Sequence, residues 1–151
     1  MIVDDLPGVL AIERRAYDHP WSEGIFRDCL RGGYRCRVGE RGGRLFGHAV
    51  LSIAAGEAHL LNLCIDPAHQ RRGFGRWLLR RMIDEARAAH AETLFLEVRV
   101  SNKPAIRLYL AHGFNEVGVR VGYYPAGEGR REDAFVFAKA LRESSWPPAG
   151  V

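Results

Sequence analysis

Leu61-Asn62-Leu63-Cys64-Ile65-Asp66-Pro67-Ala68-His69-Gln70-Arg71-Arg72-Gly73-Phe74-Gly75-Arg76-Trp77-Leu78-Leu79 is the stretch that decides the fold. The segment from about Ala58 to Ile65 reads as a strand that stops before Pro67, since proline has no N–H to give to a ladder. Beyond the turn at Gln70 to Arg76, Trp77, Leu78, Met82, Ile83 and Ala86 recur at helical spacing to about His90, with one apolar and one arginine-rich face. A strand, a glycine turn and a helix in that order bring free backbone N–H groups and the positive end of a helix dipole to one point, which makes an anion site. The nucleotide alternatives do not fit. There is no Gly-Lys-Ser/Thr of a P-loop and no third glycine at dinucleotide spacing. A short turn with two glycines is also a common structural device, so the pattern alone leaves both readings open.

Working outward toward the amino terminus, a helix begins at Asp5 with Pro7 in its first turn, carries Leu6, Val9, Leu10 and Ala16, and breaks at His19-Pro20. Ser22 caps a second short helix with Ile25, Phe26, Cys29 and Leu30, which Gly32-Gly33 ends. Two strands follow, near Arg35 to Glu40 and Arg44 to Ile53, joined by Arg41-Gly42-Gly43 as a hairpin turn. In the other direction Thr93 to Val100 alternates cleanly, with Leu94, Leu96, Val98 and Val100 on one side and Thr93, Phe95, Glu97 and Arg99 on the other. Glu97 therefore points away from the aliphatic face. A helix capped by Ser101 or Asn102 holds Ile106, Leu108 and Tyr109 and ends at Gly113. Phe114 to Val121 and Asp133 to Lys139 read as closing strands around a loop, Gly122 to Glu132, that contains Tyr123-Tyr124-Pro125. The order is that of a single α/β domain over residues 1–141, with 142–151 as a flexible tail.

The composition agrees with one folded domain: 151 residues, 47% hydrophobic and 26% charged. No run approaches the roughly 18 apolar residues of a membrane span, and Met1-Ile2-Val3-Asp4-Asp5 lacks the layout of a signal peptide, so a cytoplasmic protein is expected. Cys29, Cys36 and Cys64 read as reduced thiols. Neither they nor the six histidines show metal-ligand spacing, and no metal is expected. The net charge of +4 is mild, but Arg71-Arg72, Arg76 and Arg80-Arg81 gather around the glycine turn, which favours a phosphate-bearing ligand over nucleic acid.

Glu97 and Tyr109 are the second constellation. A strand carboxylate and a tyrosine on the next helix can serve as base and acid; equally, Glu97 can pair with Arg99 while Tyr109 is a core aromatic with its hydroxyl satisfied.

The Gln70-Arg71-Arg72-Gly73-Phe74-Gly75 turn, after a strand ending Leu63-Cys64-Ile65-Asp66-Pro67, resembles the acetyl-CoA pyrophosphate motif of the GNAT superfamily of N-acetyltransferases. More narrowly, His19-Pro20-Trp21-Ser22, Leu96-Glu97-Val98-Arg99, Ser101-Asn102, Ala105-Ile106, Leu108-Tyr109, Gly113-Phe114, Tyr123-Tyr124-Pro125 and Glu132-Asp133-Ala134 resemble the branch that acetylates the N-terminal alanine of a small-subunit ribosomal protein. The likeness runs from about Asp5 to Leu141. It implies a central mixed, mostly antiparallel twisted sheet with helices on both faces, and acetyl-CoA as cosubstrate. It further implies Glu97 as general base and Tyr109 as general acid. Because an unperturbed tyrosine near pKa 10 is a weaker acid than a thiol near 8.5, stabilising the thiolate would be the main work of Tyr109.

On the same resemblance, Leu63, Cys64 and Ile65 offer backbone to the pantetheine, Arg71, Arg72, Gly73, Phe74, Gly75 and Arg76 wrap the pyrophosphate, and Asn102 meets the cofactor. Trp21, Tyr123 and Tyr124 line the peptide entrance. The chain departs from the family at Val121-Gly122, where larger polar residues are usual, and at Gly129-Arg130-Arg131-Glu132-Asp133, with one extra arginine. Only Met1 to Val3 remain for the strand that usually opens the fold, which leaves open whether the native start lies upstream of Met1. Two other functions share parts of this pattern: acetylation of a small amine, and a non-catalytic acyl-CoA-sensing or RNA-binding module. The presence of both Glu97 and Tyr109 speaks against the module.

Overall fold

The computed structural model describes residues 1–142, so the expected tail lies, apart from Arg142, outside the described residues. The elements are α1 (Leu6–Ala16), α2 (Glu23–Arg31), β1 (Arg35–Arg41), β2 (Arg44–Ala54), β3 (Glu57–Ile65), α3 (Phe74–Ala88), β4 (Thr93–Arg99), α4 (Lys103–Ala111), β5 (Asn115–Pro125) and β6 (Arg131–Ala140). Single 3-10 turns stand at Val3–Asp5 and Pro67–His69. The local signals act as expected: the Ser22 hydroxyl accepts the Ile25 N–H at 3.3 Å to start α2, and the Asn102 side chain, not Ser101, caps α4. Met1 to Val3 form no strand. The Met1 amine donates instead to the Cys36 carbonyl of β1, at 3.0 Å.

The six strands lie in the order β1-β2-β3-β4-β6-β5, and every pair is antiparallel except β3 with β4. Helices cover both faces. On one, Leu78, Leu79, Met82, Ile83 and Ala86 of α3 pack with Leu60, Leu94, Leu96 and Val98 of the sheet, and Tyr109 of α4 joins them. On the other, Leu6, Val9 and Leu10 of α1 and Phe26 and Cys29 of α2 cover Cys36 and Val50. Each face is filled because the apolar positions recur at the helical period and meet alternate strand residues.

The feature that matters for function is where the sheet comes apart. The parallel β3–β4 pairing lasts only from Glu57 and Thr93 to Leu60 and Leu96. Immediately afterwards the β2–β3 register shifts, with Leu51 opposite Leu60 but Val50 opposite Asn62, so Leu61 is the extra residue of a bulge. A bulge bends its strand and interrupts pairing. Past it β3 continues with β2 to Ile65, β4 continues with β6 to Arg99, and a split opens between them.

One sequence expectation needs correction. Tyr123-Tyr124-Pro125 belong to β5 and not to a loop, because Tyr124 pairs with Glu132 and Pro125 with Arg131. The intervening register shift between Arg120 and Tyr124 is held by side chains: the Gly122 N–H donates to the Asp133 carboxylate at 2.8 Å, and Arg131 donates to the Gly122 carbonyl at 2.9 Å.

Candidate active site

The free edge of β3 forms one wall of the split. Cys64 is paired with His48, and the Asp66 N–H donates to the Phe46 carbonyl at 2.7 Å. Alternate residues of an antiparallel strand turn their backbone groups in opposite directions, so Leu63 and Ile65 face away from β2. Their carbonyls behave accordingly. That of Leu63 accepts the Tyr17 hydroxyl at 2.8 Å, and that of Ile65 accepts the Gln70 amide at 3.3 Å. Cys64 is buried, burial pushes its thiol up, and it is unsuited to act as a nucleophile.

At the end of this strand the chain turns into α3 through Arg71 and Gly73, both left-handed at φ 64° and 84°. A Cβ on Gly73 would meet nothing within 4 Å, so it is the dihedral alone that asks for glycine there. No side chain caps α3, whose first intrahelical bond runs from the Trp77 N–H to the Gly73 carbonyl at 3.0 Å. The N–H groups of Phe74, Gly75 and Arg76 are left pointing outward from the helix end. A Cβ at Gly75 would lie in ordinary contact with Ile65 and Leu108, at 3.7 and 3.8 Å, so the turn runs between β3 and α4 without needing glycine there for space. Arg71, Arg72 and Arg76 are exposed and make no ion pair among the described residues. Phe74 is half-buried against Phe46, with ring centroids 4.5 Å apart.

The opposite wall carries Glu97. Its side chain is only 7% exposed, and both carboxylate oxygens are engaged: Oε2 with His59 Nε2 at 2.5 Å, Oε1 with Arg120 Nε at 3.2 Å. The pairing with Arg99 does not occur. Arg99 turns instead to Glu132 at 3.1 Å and lies over the Tyr124 ring at 4.5 Å. Burial raises the Glu97 carboxyl, but the bonds and charges of His59 and Arg120 outweigh it and hold the group below its ordinary value. Tyr109 lies on the α3/α4 side, packed on Phe114 and Phe137, and burial drives its phenol up. Burial also pushes the Tyr124 phenol up, and the charges of Tyr123 and Glu97 add to the effect.

Tyr123 stacks edge-on against Tyr124 at 4.8 Å, with the Arg120 guanidinium over its ring at 5.6 Å. Trp21 is half-buried, tilted on Phe26 at 5.2 Å, at the start of α2. Its N–H is held by Glu13, a residue the sequence reading passed over. Glu13 is 1% exposed and also accepts His48 at 2.9 Å and Asn62 at 3.0 Å. Glu13, His48 and Cys64 bring ligand-type atoms within 4.8 Å of one another, but the lone pairs of Glu13 already serve these three donors. His59, Arg120 and Tyr17 were likewise missed. Asn102 stands at the head of α4 shortly after β4, its carbonyl oxygen spent on the cap.

Comparison with known proteins gives a consistent result. The acetyltransferase (GNAT) family profile matches residues 6–114. The chain is 42% identical over 134 residues to the [ribosomal protein bS18]-alanine N-acetyltransferase of Escherichia coli, covering 89% of this chain and 90% of that one. The crystal structure of the ribosomal-protein-S18-alanine N-acetyltransferase from Escherichia coli superposes with a TM-score of 0.88 at 39% identity, over 97% of this chain and 94% of that one. The fold is also that of yncA from Salmonella typhimurium, solved with its cofactor acetyl-CoA: TM-score 0.78, 23% identity, 99% and 95% covered. Among the described residues no helix is long and apolar enough to cross a membrane.

Proposed function

The chain belongs to the acetyltransferase (GNAT) family, and from that membership we propose that its acceptor is a protein amino terminus, the N-terminal alanine of a small-subunit ribosomal protein. It is an acetyl-CoA-dependent N-acetyltransferase; the proposal concerns the acceptor and the residues that serve it. The carrying observation is the split itself: an unpaired strand edge ending at an uncapped helix, with a carboxylate on the facing strand.

The site suits the cosubstrate. The outward backbone of Leu63 and Ile65 can receive pantetheine amides as an added strand would, while Cys64 keeps that edge in register with β2. The backbone N–H groups of Gly73, Phe74, Gly75 and Arg76, with the Arg71 and Arg72 side chains, match a pyrophosphate in charge and in donors. Asn102 has its amide N–H groups left for the ligand. Acetyl-CoA supplies the activated acyl carbon, and the protein's task is to orient an amine toward it and take up a proton. Glu97 draws that proton toward the facing strand, directly or through a group bonded to it. Tyr109 faces the leaving sulfur; with its phenol pushed up by burial it serves as a hydrogen-bond donor to the thiolate more than as an acid. Trp21, Tyr123 and Tyr124 form the peptide entrance, with rings to flank an extended backbone and hydroxyls to bond it.

The test is release of free CoA thiol with a short peptide beginning with alanine, beside the same peptide N-blocked and spermidine. Turnover with the free-alanine peptide alone supports the reading. Turnover with spermidine but not with the peptide overturns it in favour of a small-amine enzyme, and tight acetyl-CoA binding with no turnover overturns it in favour of a sensing module.

A further inference from the structure

Glu97 is placed as a base but is poorly equipped to be the final one. It is almost fully covered, both its oxygens already accept hydrogen bonds, and two cationic-capable neighbours favour its charged form. A carboxylate so held has little tendency to keep a proton from an amine. Its partner differs in each respect. His59 stands on β3 opposite Phe95 of β4, at the last turns of pairing before the split. A third of its side chain is open to solvent, 33% against 7% for Glu97.

We propose that the proton of the attacking amine comes to rest on His59, and that Glu97 orients the imidazole and balances the charge it acquires. The hydrogen bond from Nε2–H to Glu97 Oε2 fixes the tautomer, leaving the Nδ1 lone pair free. In the step, the acceptor nitrogen bonds to the acetyl carbon as the carbon–sulfur bond breaks. One N–H proton passes to His59 Nδ1, directly or through a water, and the departing sulfur keeps the electron pair of its bond as a thiolate. The imidazolium then lies against Glu97, an arrangement in which a buried carboxylate stabilises a cation without itself being protonated. The charged and titratable groups around the pair are Arg120, bonded to Glu97, the Tyr123 and Tyr124 phenols, and Glu57 two residues earlier on the same side of β3.

This inference rests on the functional reading above and is separable from it. The experiment compares wild type, His59→Gln and His59→Ala with the acceptor peptide between pH 5.5 and 9. Log kcat/KM for wild type should rise with a slope approaching two at the acid end, one proton from the amine and one from His59. His59→Gln, which keeps a donor for Glu97, should lose about 100-fold in kcat with little change in KM, and its slope should fall to one. Added imidazole should restore part of the activity of His59→Ala. A His59→Gln variant within about threefold of wild type, a slope of one in the wild type, or a folded His59→Ala that imidazole does not rescue overturns the proposal. Absence of wild-type turnover with every amine overturns the functional reading; turnover indifferent to His59 overturns only this one.

Discussion

The two faces of the sheet at the split are built in opposite ways. Under α3 and α4 the contacts are apolar, from Leu79 and Met82 to Phe114, and even the Tyr109 ring is held by packing. On the face that α1 covers, the interior is wired with hydrogen bonds: Glu13 joins α1, β2, β3 and the start of α2, and Glu97 joins β3, β4 and β5. Packing resists displacement but is indifferent to direction, whereas a hydrogen-bonded carboxylate fixes particular atoms at particular angles. The apolar face therefore serves as the frame, and in the proposed function the polar face is where proton transfer and acceptor alignment are set.

Glu97→Gln is the sharpest way to separate the two. It should lower kcat with the alanine peptide by about 100-fold or more while the urea midpoint stays near that of wild type, as read by thiol release and by equilibrium unfolding. Leu79→Ala, at a fully buried position under α3, should do the reverse. A loss of about 3 kcal/mol in unfolding free energy is expected, with kcat per folded molecule unchanged. If Leu79→Ala abolishes kcat in protein that is still folded, the apolar face is more than a frame.

Glu13→Gln tests the polar face away from the chemistry. The amide must set its NH2 either against the donors of His48 and Asn62 or against the Trp21 N–H, so stability should fall by about 2 kcal/mol, and where the Trp21 bond is the one lost KM for the peptide should rise more than KM for acetyl-CoA. Gly73→Ala should have a smaller effect on folding, about 1 kcal/mol, arising from the left-handed backbone alone. Calorimetry should show weaker acetyl-CoA binding at the same time, with peptide KM unaffected.

The smallest expected effect is that of pH on the link between α1 and the turn. Burial raises the Asp66 carboxyl, but the Arg15 guanidinium at 2.8 Å and the Ala68 N–H outweigh it and bring it below the ordinary value. A group lower in the folded than in the unfolded chain stabilises fully above the ordinary aspartate range, and that contribution disappears as pH falls through the lowered value. Because Arg15 is more than half exposed, the amount is below about 1 kcal/mol. Asp66→Asn should flatten the acid side of the stability profile by that much, measured as the urea midpoint between pH 3 and 6.

The β3–α3 wall of the split was readable in advance because its signals are local. A strand stopped by Pro67, glycines at the turn and a helix period after it are properties of consecutive residues, and the structure has each where the pattern set it. The partner of Glu97 was not readable. Arg99, two residues away on the same side, was the natural candidate, yet the bonds go to His59 and Arg120, 38 and 23 positions distant. Likewise Tyr123 and Tyr124 read as loop because Gly122 interrupts the pattern, while the Asp133 carboxylate that carries the strand across that break lies on β6.

By itself, then, the order of residues determined the elements, the faces they bury and the motif that marks the family, since these depend on spacing along one strand or one helix turn. The tertiary structure alone decided where β3 parts from β4, which cations hold Glu97, and that the buried carboxylate of Glu13 anchors Trp21. Those depend on register between strands far apart in sequence, and a shift of a single residue, such as the bulge at Leu61, redirects the side chains that follow it.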